Sequence, residues 1–378
     1  MSESERLDPK KGRELLEGLW KEICSNENIK EIRFIKNDEL IIKIRSILNG
    51  KTKSYKYALL TQVLAKALDT SINALALQKQ AKVETGKPFD ARSFCRKAVV
   101  PFEKDFMGGI LGSSEDPYVS KPLRNAMVSL DLLDHIKNKK GWKDLYEILS
   151  VVQNKNDREF TENVLKQILL ELCRSYLELR KDSNALFVRG KTVTVNDLLG
   201  VISDFLSEPS EGARLQVIVY ALIKTLNKRV HAFKEIRTSK STVSDEFAGK
   251  YSDIECFDED GNLELGIAVT EYLDSRKLRE ELDKAHRKNV KRLIVVTWNL
   301  PEFKKSKFVP LLDKYEQKGL RVTIEDVSHM VSFITTFFNN EIRADFIEEV
   351  GSSLKELGYI DHFKRWVEIL RKRKLVEG

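Results

Sequence analysis

Asp253 and Glu255, two residues apart in the short apolar run Tyr251–Phe257 (YSDIECF), are the carboxylates of this 378-residue chain best placed to do chemistry. Carboxylate oxygens are the ligands that a hard divalent cation such as Mg2+ requires. A strand sends alternate residues to opposite faces, so Glu255 shares a face with Asp253. The segment Asp258–Gly261 (DEDG) supplies turn chemistry: Asp side chains fold back on their own backbone, and Gly tolerates positive φ. In the next run, Leu263–Glu271, residues Leu263, Leu265, Ile267 and Val269 point one way and Glu264, Gly266, Ala268 and Thr270 the other. This order sets the polar face of the second strand beside Asp253. Glu271 ends the run, and Lys277 follows on a charged helix predicted at about Ser275–Lys288.

The elements that position these groups run strand, turn, strand, helix, strand from Lys250 to Asn299. The last strand is the apolar run Arg292–Trp298 (RLIVVTW), suited to a buried position. Upstream the pattern is helical, at Pro9–Ser25, Glu39–Leu48, Ser54–Leu68, Trp142–Val152, Arg158–Lys181, Val195–Leu206 and Glu211–Val230. A further helix at Asp90–Phe106 starts on a good N-cap, Asp90, and contains Pro101, which is expected to end or kink it. Met107–Pro122 (MGGILGSSEDPYVSKP) reads as an irregular, accessible loop, either a ligand-binding segment or a connector. His231–Gly249 breaks the periodicity and reads as a loop into a second domain. Its early cations Lys234, Arg237 and Lys240 are either solvated or in contact with phosphates. Beyond Trp298 come a helix near Lys304–Gln317, a strand at Arg321–Ile324 and helices at Asp326–Phe338, Ile342–Glu356 and Asp361–Arg373. The closing basic run Arg371–Lys374 complements a helix dipole.

With 42% hydrophobic and 33% charged residues, the composition is that of a folded globular protein and excludes a disordered one. No apolar run approaches the roughly 20 residues of a membrane helix, and the N-terminus is too polar for a signal peptide, so a cytoplasmic location is expected. A net charge of +7 is compatible with a polyanionic partner without being diagnostic of one. Cys24, Cys95, Cys173 and Cys256 lack metal-ligand spacing and are expected to be unpaired thiols rather than disulfides or zinc ligands.

Two stretches resemble one family. Asp90–Pro122 (DARSFCRKAVVPFEKDFMGGILGSSEDPYVSKP) is similar to the N-terminal signature of SacI-type restriction endonucleases, where an Arg-x-Leu/Phe-Cys and Val-Val-Pro segment leads into a Gly-rich loop. Phe247–Val296 resembles the nuclease core of the same family, of the PD-(D/E)XK type: an Asp-(Ile/Val) strand, an Asp-x-x-Gly turn, a Glu-Val-(Lys/Arg) strand, then a helix and an apolar strand. The order and separation of the blocks match as well.

The resemblance implies Mg2+-dependent hydrolysis of DNA phosphodiesters, with Asp253 as the first carboxylate. It departs at Ala268, which stands where the Glu belongs, and at Thr270, which stands where Lys or Arg belongs. Glu255 and Glu271 are the substitutes taken with Asp253 as metal ligands, and Thr270 and Lys277 complete the candidate catalytic set. Glu246, Glu280 and Glu281 are further acids and Arg276 a further cation, whereas Glu264 lies about four strand residues, roughly 13 Å, from Ala268. Three explanations compete: a rearranged working site, a relic that binds DNA without cutting it, and a chain in which a catalytic Glu was deliberately replaced. For recognition, the resemblance points to Ser113, Ser114, Glu115, Asp116 and Lys121 at base edges and to Arg92 and Lys97 at phosphates.

The expectation is an α+β protein. Residues 1–235 form a mainly helical recognition and dimerisation domain and 236–345 an α/β nuclease-like core whose mixed sheet is flanked by helices. Residues 346–378 add C-terminal helices packed on that core. As a type II restriction endonuclease it would act on double-stranded DNA as a C2 homodimer, with a cognate DNA methyltransferase as functional partner. An inactive DNA-binding relative is the alternative, and a helical interaction protein with incidental charge is a third reading.

Overall fold

A computed structural model describes residues 7–26, 28–185, 192–238, 252–298, 300 and 306–376. They form two compact units, Met1–Lys181 and Asp182–Gly378.

The first unit is helical: α1 (Pro9–Cys24), α2 (Asp38–Leu48), α3 (Lys53–Leu68), α4 (Ala91–Phe94), α5 (Val100–Phe102), α6 (Lys139–Lys155) and α7 (Arg158–Ala185). Its central element is α3, buried from Tyr55 through Ala67, as an all-round apolar helix must be. Trp20, Phe94, Trp142, Leu165 and Leu169 pack in the same core. Asp90 caps α4 as expected, accepting from the Ser93 amide. Pro101 does not stop the helix: wide π turns at Cys95–Val99 and Glu103–Met107 flank α5 and carry the chain past it. A π turn absorbs the missing N–H and the ring clash that proline brings to an α register.

The cysteine expectation also needs correction. Cys24 at the end of α1 and Cys173 on α7 form a disulfide, with Cα atoms 5.9 Å apart although 149 residues separate them. Packing of α1 on α7 makes the pair, and spacing along the chain carries no trace of it. Cys95 and Cys256 are buried thiols.

The second unit contains α8 (Val195–Leu206), α9 (Ala213–Val230), β1 (Glu235–Thr238), β2 (Ile254–Phe257), β3 (Leu263–Thr270), α10 (Ser275–Arg287), β4 (Arg292–Thr297), α11 (Val309–Glu316), β5 (Arg321–Asp326), α12 (Val327–Thr336), α13 (Asn340–Glu356) and α14 (Ile360–Lys372). The sheet runs in the order β1-β2-β3-β4-β5. Pairs β1–β2 and β2–β3 are antiparallel, and β3–β4 and β4–β5 are parallel. The mixed sheet and its helical flanks meet the α+β expectation.

The division falls at 181/182 and not at 235/236, so α8 and α9 belong with the sheet. The cause is burial: α9 packs on β3 and α13, and its residues Ala213–Ile223 are all buried. A strand, β1, also replaces the first part of the loop expected over His231–Gly249. Its paired backbone is stabilised by β2, although Glu235 and Arg237 are exposed. Lys240 and Glu246 lie outside the described residues.

Candidate active site

Asp253 immediately precedes β2. The β2–β3 register pairs Ile254 with Ile267 and Glu255 with Gly266, so Asp253 stands opposite Ala268. Its carboxylate Oδ2 accepts the Val269 amide at 2.6 Å, which ties it to the second strand of the hairpin. Its main-chain carbonyl accepts from the Thr238 hydroxyl at 2.7 Å and the Gln216 amide at 3.3 Å.

Ala268 is 2% exposed and belongs to the apolar layer between the sheet and α10, with Leu278, Leu282, Ala285, Leu293 and Val295. That layer brings α10 over the strand bearing Ala268. Asp274 caps the helix by accepting the Lys277 amide at 2.7 Å. Lys277 and Glu281, one turn apart, border the buried stripe and pair at 2.7 Å, with side chains 42% and 14% exposed. Burial pulls the Lys277 ammonium pKa down. The hydrogen bond to Glu281 and the charges of Glu281, Asp253 and Glu280 outweigh that pull and hold it above the ordinary lysine value. Lys277 and Glu281 thus form an ion pair at the edge of the layer that covers the strand.

The other acids go elsewhere. Glu255 is 4% exposed within β2, paired across to Arg237 of β1 and Gly266 of β3. Glu271 accepts from the Ser210 hydroxyl at 2.7 Å, in the segment leading into α9. Glu264 pairs with Arg292 at 2.9 Å. Thr270 donates its hydroxyl to the Tyr272 carbonyl at 2.7 Å. Among the described residues no three His, Cys, Asp or Glu side chains stand together as a metal site, so Asp253, Glu255 and Glu271 do not converge. Glu281 is the acid that residue order alone did not single out. Its signal was the i,i+4 spacing from Lys277 on the helix crossing the hairpin. Mg2+ is commonly held by only one or two protein carboxylates, with water and substrate phosphate as the other ligands. Asp253 and Glu281 are carboxylates, the donor type that demand calls for.

The candidate recognition residues lie in the first unit, apart from Arg237 and Lys240. Gly112 and Ser113 both have positive φ, and their amides donate to Glu103 Oε1 at 2.9 and 3.1 Å. The Ser114 amide donates to the Tyr57 hydroxyl at 2.7 Å, and that hydroxyl donates to Glu103 Oε2. Glu103 is 2% exposed, so the loop rests on a buried carboxylate. Arg92 grips Asp116 through both Nε and Nη2. Lys97, Glu115 and Lys121 are exposed. In the second unit Arg237 pairs with Glu235 and lies 4.5 Å over the Phe257 ring.

The second unit thus carries an aspartate at the hairpin of a mixed sheet and a Lys–Glu pair on the helix crossing it. Comparison with family models places the chain: the SacI restriction endonuclease N-terminal domain matches residues 11–173 and the C-terminal domain residues 190–297. The chain belongs to the SacI restriction endonuclease family. No curated protein matches it significantly. Among the described residues no helix is long and apolar enough to cross a membrane.

Proposed function

We propose that this chain cuts double-stranded DNA at a specific sequence with Mg2+, using Asp253, Glu281 and Lys277. The carrying observation is Asp253 at the mouth of the β2–β3 hairpin, its carboxylate held on the Val269 amide, within a chain of the SacI family. Asp253 and Glu281 would hold the cation, which when bound supplies charge stabilisation at the scissile phosphate and a more acidic water. Asp253 is oriented for this by the Val269 amide. Lys277, its pKa above the ordinary value, stays protonated at neutral pH. That suits it to donate to a phosphate oxygen as charge develops and unsuits it to act as a general base. Glu271, bonded to the Ser210 hydroxyl, has no direct part in this scheme.

The recognition loop resting on Glu103, Lys121 included, contacts base edges in this reading, with Lys97 and Arg237 at phosphates. A homodimer, cutting both strands of a palindrome, acts in the cytoplasm beside a cognate methyltransferase. The burial of Ala268 in an apolar layer favours one second reading, an impaired relative that binds without cutting. Incubation with mixed-sequence plasmid and Mg2+ tests the proposal. Discrete fragments are expected, with about 10³-fold slower cutting by Asp253→Ala and at least about 10²-fold slower by Lys277→Met. Salt-sensitive, sequence-specific binding without fragments would replace the enzyme by the binding reading.

A further inference from the structure

Among the described residues the last β1–β2 pair is Thr238↔Ile254, next to Asp253. The Asp253 carbonyl accepts from two side chains. Thr238 Oγ1 donates to it at 2.7 Å, and Gln216 Nε2 reaches both Thr238 Oγ1, at 2.8 Å, and the carbonyl, at 3.3 Å. Gln216 is 2% exposed and sits on the fully buried part of α9, where every neighbour from Ala213 to Ile223 is also buried. A primary amide in such a place costs free energy unless it is bonded, and an apolar residue would serve packing alone. Its Nε2 donates to the Thr238 hydroxyl and to the Asp253 carbonyl.

From this we infer that Gln216 and Thr238 are positioning residues that set the main chain of Asp253, so that its carboxylate meets the Val269 amide and faces α10. The inference rests on Asp253 being the working carboxylate. The clamp joins three elements: α9 supplies Gln216, the end of β1 supplies Thr238, and the β2 entry is held between them. Val269, which receives the other end of Asp253, lies on β3, so the aspartate is fixed at its backbone and at its carboxylate by different strands. It also links Asp253 to the strand that carries Arg237, the neighbour of Thr238.

The test uses Thr238→Val, nearly isosteric but without the hydroxyl, together with Thr238→Ser, which restores it, and Gln216→Leu. Amide hydrogen exchange at Val269 reports the Asp253 carboxylate directly and needs no cleavage. Thr238→Val and Gln216→Leu are expected to speed that exchange about tenfold, and Thr238→Ser to leave it within about twofold of the natural chain. On plasmid with Mg2+, the same two variants are expected to lower kcat about tenfold with DNA affinity unchanged. Val269 protection unchanged in Thr238→Val would overturn the inference, whether or not the protein cuts. Equal exchange in Thr238→Ser and Thr238→Val would overturn it too, by assigning the effect to packing. Faster exchange in a chain that cuts no DNA would uphold the clamp and remove the nuclease reading.

Discussion

Replacing Ala268 by Glu would write the family's usual residue into the strand, and the structure predicts that this harms the protein without improving cutting. Ala268 is 2% exposed, beneath Leu278 and Leu282 of α10 and beside Val295 of β4. Extra side-chain atoms in such a layer cost about 1–3 kcal/mol in overpacking. A carboxylate desolvated there costs several kcal/mol, partly offset by Lys277, so the net destabilisation is about 3–5 kcal/mol. For a unit of about 200 residues this lowers Tm by roughly 6–20 °C, at about 2–4 °C per kcal/mol. Burial raises the introduced carboxyl's folded pKa above its unfolded one. The deficit is therefore smallest below the unfolded value, near pH 4, and grows toward neutrality as the unfolded state releases its proton first. Melting curves of Ala268→Glu and the natural chain at pH 4.5 and 7.5, with plasmid cleavage alongside, measure this. A variant that melts within about 2 °C of the natural chain at pH 7.5, or that cuts faster, would refute the apolar-layer argument and restore position 268 to the metal site.

Removing the buried loop support by Glu103→Ala leaves the Gly112 and Ser113 amides and the Tyr57 hydroxyl without that acceptor. Denaturant unfolding should show a loss of about 2–4 kcal/mol, and proteolysis within residues 107–122 should accelerate. Burial pushes Glu349 up, but hydrogen bonds from Lys224 and Lys228 outweigh it and hold its pKa below the usual carboxylate value. A depressed carboxylate pKa contributes stability above the unfolded value, lost as pH falls through the folded one. The Tm gap between the natural chain and Glu349→Gln should therefore be full above about pH 5 and close on acidification toward pH 3. Reducing Cys24–Cys173 frees a loop of 149 residues, which by chain entropy alone weakens the first unit by up to about 5 kcal/mol. Calorimetry with and without a phosphine reductant reads that loss, and Cys24→Ser should show it with no response to reductant.

Much of the architecture was legible in the residues themselves. Periodicity located nearly every helix, and for Val195–Leu206 both ends, because an amphipathic stripe is a local property. The hairpin, its turn and the buried strand at Arg292–Thr297 were equally readable. Residue types alone took Glu255 and Glu271 with Asp253 and left Glu246, Glu280 and Glu281 as further acids. In the structure Glu255 is buried in β2, Ser210 draws Glu271 toward α9, and Glu281 pairs with Lys277 on α10. The edge strand β1 has four residues and no apolar alternation, and its pairing with β2 makes it a strand. The disulfide and the unit boundary at 181/182 depend in the same way on contacts between segments distant in sequence. Local pattern thus determined which elements form and that an aspartate stands at the entry to the hairpin. Long-range packing decided which groups meet that aspartate, because side-chain proximity across a sheet and its covering helix is set by register and crossing, which no window of sequence contains.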